Sequence, residues 1–149
     1  MSIIRRRVLK NRKRRIGNRL REMHWEEQPN PMFTASNIHY EVAERTKAID
    51  AGGVGLAHKL AREVGLIDEI DQRVKVLKRH LPYHESDHIL NSAYNFLAGG
   101  TCLDDLELLR NDEAFLDALG AQRIPDPTTA GDFCRRFDLG NIEALMGAI

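Results

Sequence analysis

"SDHILNSAYNFLAGG", Ser86 to Gly100, decides how the chain is read. Ile89, Leu90, Ala93, Tyr94, Phe96 and Leu97 make it an almost wholly apolar rod, closed by Gly99 and Gly100. It predicts the central and most buried helix, opened at Ser86 and packed on all sides by shorter helices.

Helix punctuation is regular on both sides of it. Ala57, Leu60, Ala61 and Val64 form an i, i+3, i+4, i+7 stripe ended by Gly65. Asp68 is a fitting cap for a second helix, with Ile70, Val74 and Leu77 inward, Arg73, Lys75, Lys78 and Arg79 outward, and Pro82 as its stop. Thr101 and Asp104 have capping-box spacing ahead of "CLDDLELLR", and Asp112 starts a short "EAFLDAL" helix ended by Gly120. Thr129 and Asp132 repeat that spacing in "IPDPTTAGDFCRRF". Behind them Ala130, Phe133, Cys134 and Phe137 share one face, leaving Arg135 and Arg136 on the other. Ile142, Leu145, Met146 and Ile149 form a stripe still running at the last residue, which predicts a chain truncated relative to a complete domain.

Upstream, "EEQPNPMFTASN" reads as a linker, because two prolines and polar residues forbid a regular element. "IHYEVAER" alternates Ile38, Tyr40 and Val42 against polar neighbours, the period of a short strand. The fold class expected is mainly α, with about five or six helices, one short strand-like segment and a disordered or weakly helical basic arm. The divisions are a basic arm over 1–24, a linker over 25–36 and a helical domain over 37–149. Low aromatic content, 6%, favours helices over a sandwich or barrel.

The formal net charge of zero hides an asymmetry. Arg5, Arg6, Arg7, Lys10, Arg12, Lys13, Arg14, Arg15, Arg19 and Arg21 crowd the first 21 residues with no acid among them. Twelve bases then face all 22 acids in the remainder. A cationic arm on an acidic body points to a polyanion partner, since clustered Arg and Lys release counterions from nucleic acid. Within the arm, Leu9, Ile16, Leu20 and Met23 make one apolar stripe, interrupted by Asn11, Gly17 and Asn18. No window has the length and apolarity of a membrane span, so a cytoplasmic protein with no membrane partner is expected. Cys102 and Cys134 have no metal-spaced partner and suit buried packing in a reducing compartment.

Three patterns invite chemistry and fall short of it. "HLPYHESDH" offers His80, His84, Glu85, Asp87 and His88, but Pro82 and a helix start divide the histidines, favouring capping and loop roles. "LDDLELLRND" carries Asp104, Asp105, Glu107 and Asp112. The first two point roughly 100° apart on a helix, poor for sharing one ion. Asp104 and Asp112 read as caps, and Asp105 as part of a solvated face. "DAGGVGLAHKLA" lacks the Gly-Lys-Ser/Thr ending of a phosphate loop. No metal ligand and no catalytic residue is assigned in this chain.

The stretch "LKRHLPYHESDHILNSAYNFLAGGTCLDDLELLRNDEAFLDALGAQRIPDPTTAGDFCRRF" resembles the N-terminal region of bacterial insertion-sequence transposases of the DDE group 1 class. The likeness runs over roughly residues 37–149, and its blocks "GGTCLDDLELLRND" and "PDPTTAGDFCRRF" are specific. The resemblance implies DNA transposition by three carboxylates with Mg²⁺ in a ribonuclease-H-like core that lies beyond this chain. It also implies a helical front part that binds transposon ends, with a second copy or the full-length transposase as a further partner. The chain alone is therefore expected to be inactive, and its nucleic-acid contacts are expected from Arg5, Arg6, Arg7, Lys10, Arg12, Lys13, Arg14, Arg15, Arg135 and Arg136. The alternatives are a stand-alone transposase-derived regulator of transposon ends and a helical interaction module unconnected with DNA.

Overall fold

The computed structural model describes residues 3–21, 27–36 and 51–149. Among them are eight α-helices and no strand. The expected strand at 38–45 lies outside the described residues. In order the helices are α1 (Ile3–Arg19), α2 (Val54–Glu63), α3 (Leu66–Arg73), α4 (Glu85–Leu97), α5 (Leu106–Leu109), α6 (Glu113–Ala118), α7 (Pro127–Cys134) and α8 (Leu139–Met146), with a 3-10 turn at Leu103–Asp105 before α5.

Helix α4 is central, as its sequence predicts, but it is turned over. It packs against α3, α7 and the 3-10 turn, and the side it buries is the polar one. Glu85, Ser86, Asp87, His88, Asn91 and Asn95 are buried beside Leu90 and Tyr94. Phe96 and Leu97 stand 62% and 63% exposed. Buried polar groups are tolerated mainly when paired, and here most are paired with loop backbone or with Asp71, while His88 stacks its ring on Phe133. Asp87 accepts from the amides of Met32 at 2.8 Å, Phe33 at 3.3 Å and His84 at 3.0 Å. Glu85 Oε1 accepts from the amides of Val76 and Leu77 at 3.1 and 2.9 Å. The Ser86 amide and hydroxyl donate to Asp71, Asn91 donates to the Pro125 carbonyl, and Asn95 donates to the Cys102 carbonyl. Each bond to an ionised carboxylate contributes roughly 1.5–3 kcal/mol. The helix therefore works as a spine that gathers four loop segments and α3.

The apolar core lies on the other side of these staples. Ile16, Phe33, Val54, Leu90, Tyr94, Phe115, Leu116, Leu119 and Ile124 are part of one cluster. Residues 27–36 form no regular element, yet Met32 and Phe33 are buried in that cluster. Gly120, at φ 62°, lets Ala35 and Thr34 cross it closely: a Cβ there would meet the Ala35 amide nitrogen at 2.5 Å.

Several boundaries shift by a few residues. Helix α3 starts after Gly65, which sits at φ 76°, and ends at Arg73, so residues 74–80 are loop rather than helix. Ile70 and Val74 are buried as expected. Asp105, not Asp104, closes the start of the 3-10 turn, accepting from the amides of Thr101 and Cys102. Asp126, not Thr129, caps α7, accepting from the Thr129 amide at 2.9 Å with Pro127 following it. Asp112 caps α6 as expected. Leu60 and Val64 of α2 are exposed, while Val54, His58 and Ala61 are buried. Cys102 and Cys134 are both exposed, so neither is a core residue. No helix among the described residues is long and apolar enough to cross a membrane.

Candidate nucleic-acid interface

Helix α1 holds nine of the ten bases of the arm, Arg21 lying just beyond it, and these charges are not equivalent. Ile16 is buried in the core cluster, with Leu20 packed against it. On the flanks of that apolar seam the bases reach acids of α5 and α6. Arg12 pairs with Asp112 at 2.8 Å, Arg15 with Glu113 at 3.3 Å, and Lys13 with Glu107. Arg19 donates to Asp117, to the Gln122 side chain and to the Ala121 carbonyl at 2.8, 2.7 and 2.9 Å. Burial acts to raise the Glu107 carboxyl, but Lys13 and Arg110 outweigh it and hold the group below its ordinary value. Acids of the body thus neutralise the inner bases, and that makes helix possible where nine like charges alone would oppose it.

The opposite side of α1 is different. Arg7, Lys10 and Arg14 recur at i, i+3 and i+7, are exposed, and make no ion pair or hydrogen bond with a described residue. Arg6 is likewise exposed and unpaired among the described residues. The Arg5 side chain lies outside the described part. Of the sequence-predicted residues, then, Arg12, Lys13 and Arg15 face the body, while Arg6, Arg7, Lys10 and Arg14 face outward.

Arg135 and Arg136 also part company. Arg135 pairs with Asp132 three residues earlier on α7. Arg136, one residue on, lines an open groove of about 1110 Å³ bounded by the 76–83 loop, α4 and α7, with Leu20 of the chain just beyond α1 at its edge. Lys78, Arg79, Arg110 and Arg123 line the same groove. The sequence reads Lys78 and Arg79 only as an outward helix face and singles out neither Arg110 nor Arg123, because these bases come together only when Glu85 ties the loop to α4. Tyr83 and Phe133 line its wall. The Arg123 guanidinium lies 5.1 Å from the centre of the Tyr83 ring. Burial pushes the Tyr83 hydroxyl up to about 12, against the opposing pull of Arg123 and Arg110. His88 stacks on Phe133 with ring centres 4.2 Å apart, and burial, helped by Arg136, pushes its imidazole down to about 4.

The histidine and carboxylate clusters are already engaged. His80 stacks on His84 at 3.9 Å and approaches Glu85 Oε2 at 3.1 Å, and His84 Nε2 bonds the Gln28 carbonyl at 2.8 Å. The acids near α5 do not fit a Mg²⁺ site. Asp105 and Asp112 serve as caps, Glu107 binds Lys13 and Arg110, and Asp104 stands exposed. Comparison with known protein families, curated proteins and solved structures returns no match for this chain.

Proposed function

We propose that this chain binds duplex DNA in the cytoplasm, as a transposase-like front part that recognises the ends of a mobile element and does not itself cut them. The observation that carries the reading is the outward row Arg7, Lys10 and Arg14, which is exposed and unpaired among the described residues although acids neutralise the inner side of the same helix. A row of cations one to two turns apart suits successive phosphates, which bind with little sequence preference and with steep salt dependence. The resemblance of residues 37–149 to insertion-sequence transposases supports the choice of DNA over other polyanions.

The test is equilibrium binding of the full chain to terminal-repeat and scrambled duplexes at several salt concentrations. Replacing Arg7, Lys10 and Arg14 with Ala should weaken binding to both duplexes and flatten the log–log salt slope by about 0.9 per lost phosphate contact. An unchanged slope removes α1 as the DNA-binding element. Mg²⁺-dependent nicking of terminal-repeat DNA by the purified chain would overturn the non-cutting role.

A further inference from the structure

The groove between the 76–83 loop and α7 combines features that the outward face of α1 lacks. It is concave, and its volume of about 1110 Å³ is just above the range of clefts that enclose small ligands, about 300–1,000 Å³. Its acids are already used. Asp126 accepts from the amide and hydroxyl of Thr129, both at 2.9 Å, and Asp132 is paired with Arg135. Three of its bases are not used: Lys78, Arg79 and Arg136 are exposed and make no side-chain hydrogen bond or ion pair with a described residue. Two of them sit on a loop whose amides at Val76 and Leu77 are gripped by the buried Glu85 carboxylate. Their position is therefore built into the fold rather than left to a mobile tail.

We propose that this groove is a second polyanion site, and that it takes the phosphodiester backbone of a single nucleic-acid strand. The proposal rests on the DNA-binding reading and refines it. A cleft of this size holds a few nucleotides of one extended strand and not the body of a duplex. A positive groove that follows the backbone is how single strands are held without sequence preference. Tyr83 and Phe133 line the groove but are only 9% and 4% exposed, so they offer bases little ring face. The site accordingly grips phosphates and is nearly indifferent to base identity. Duplex DNA engages the outward face of α1 while a frayed or unpaired strand enters the groove, which Leu20, just beyond the end of α1, helps to line.

The experiment compares three full-length chains, wild type, Arg79→Ala/Arg136→Ala and Arg7→Ala/Lys10→Ala/Arg14→Ala. Each is titrated against a short labelled mixed-sequence strand and a blunt duplex, at two salt concentrations. All the replaced side chains are exposed, and circular dichroism verifies that each variant is folded. The groove variant should lose about tenfold in affinity for the strand, with a slope flattened by about 0.7 per lost contact, and change less than twofold on the duplex. The α1 variant should show the reverse preference. If the groove variant keeps wild-type strand affinity and slope while the α1 variant loses duplex binding, the groove proposal fails and the DNA-binding reading stands. If neither variant alters binding to either probe, both fail. Equal loss on strand and duplex from the groove variant also overturns the assignment to a single strand.

Discussion

Both carboxylate oxygens of Asp87 lie within 2.9 Å of one backbone amide, that of Met32, 55 residues earlier in the chain. The same carboxylate also takes the amides of Phe33 and His84. One side chain therefore closes the start of α4 and fastens the 27–36 segment to it. Asp87→Ala leaves three amides without their acceptor, each costing about 1–3 kcal/mol. The expected loss in urea unfolding is on the order of 4 kcal/mol, with Asp87→Asn between that and wild type. A loss under about 1 kcal/mol would mean water replaces the carboxylate at little cost.

The inverted orientation of α4 separates two aromatic residues only two positions apart. Tyr94 is 3% exposed, shares a 3.0 Å hydrogen bond with His58 and packs on Phe33. Phe96 faces outward. Tyr94→Ala should cost about 3–5 kcal/mol, while Phe96→Asp should stay within about 0.5 kcal/mol of wild type. Thermal unfolding of the two variants side by side decides which face of α4 is inside.

The arm is held by one apolar residue more than by its charges. Exposed ion pairs such as Arg15–Glu113 are worth about 0.2–1 kcal/mol and are screened by salt. Ile16, 6% exposed, is worth about 2–5 kcal/mol on truncation to Ala. Amide hydrogen exchange across 3–19 should therefore change little in high salt and accelerate strongly in Ile16→Asp. Equal acceleration in both would assign the docking to electrostatics.

His58 and His88 make the fold sensitive to acid. Burial pushes both imidazoles down to about 4, with Arg62 adding to the effect at His58 and Arg136 adding to it, against Glu85, at His88. The unfolded chain takes up these protons near 6.5, before the folded chain does, so stability present above about 6.5 is lost as pH falls toward 4. Asp87 works in the opposite sense: burial pushes its carboxyl up to about 6 against its amide bonds, offsetting part of the loss as pH falls. Asp71, also pushed up by burial, works with Asp87, whereas Asp105, Glu107 and Asp126 are held below their ordinary values and add to the loss as pH falls. Tm should drop by on the order of 5 °C between pH 7 and about 4.5. His88→Phe keeps a ring on Phe133, replaces an imidazole whose Nδ1 has no partner among the described residues, and should shrink that drop. An undiminished drop in the variant would place the acid sensitivity elsewhere.

The existence and order of most helices are legible in the residues, because caps and stops are local. Gly65, Gly99 and Gly120 all adopt positive φ at helix ends, and Asp112 caps as its position implies. The buried side of α4 is not legible. Apolar periodicity reads Phe96 and Leu97 as core, whereas Asp87 and Glu85 go inside because amides 8 to 55 residues away need acceptors. The interface divides in the same way. Clustered charge singles out the arm, but which bases are neutralised depends on where Asp112, Glu113 and Asp117 fall in space. Lys78 and Arg79 read as an ordinary outward helix face. Only the early end of α3 at Arg73 turns them into a loop on a groove.

Glu85 holds the 76–83 loop by main-chain amides and not by the side chains of Val76 or Leu77. A grip on atoms that every non-proline residue carries is blind to what the loop spells. Lys78 and Arg79 can accordingly be exchanged for other residues, by drift or by design, while the loop keeps its path. The groove rim is thus a place where ligand preference can diversify at small cost to folding, and the buried carboxylate behind it is the residue that cannot change.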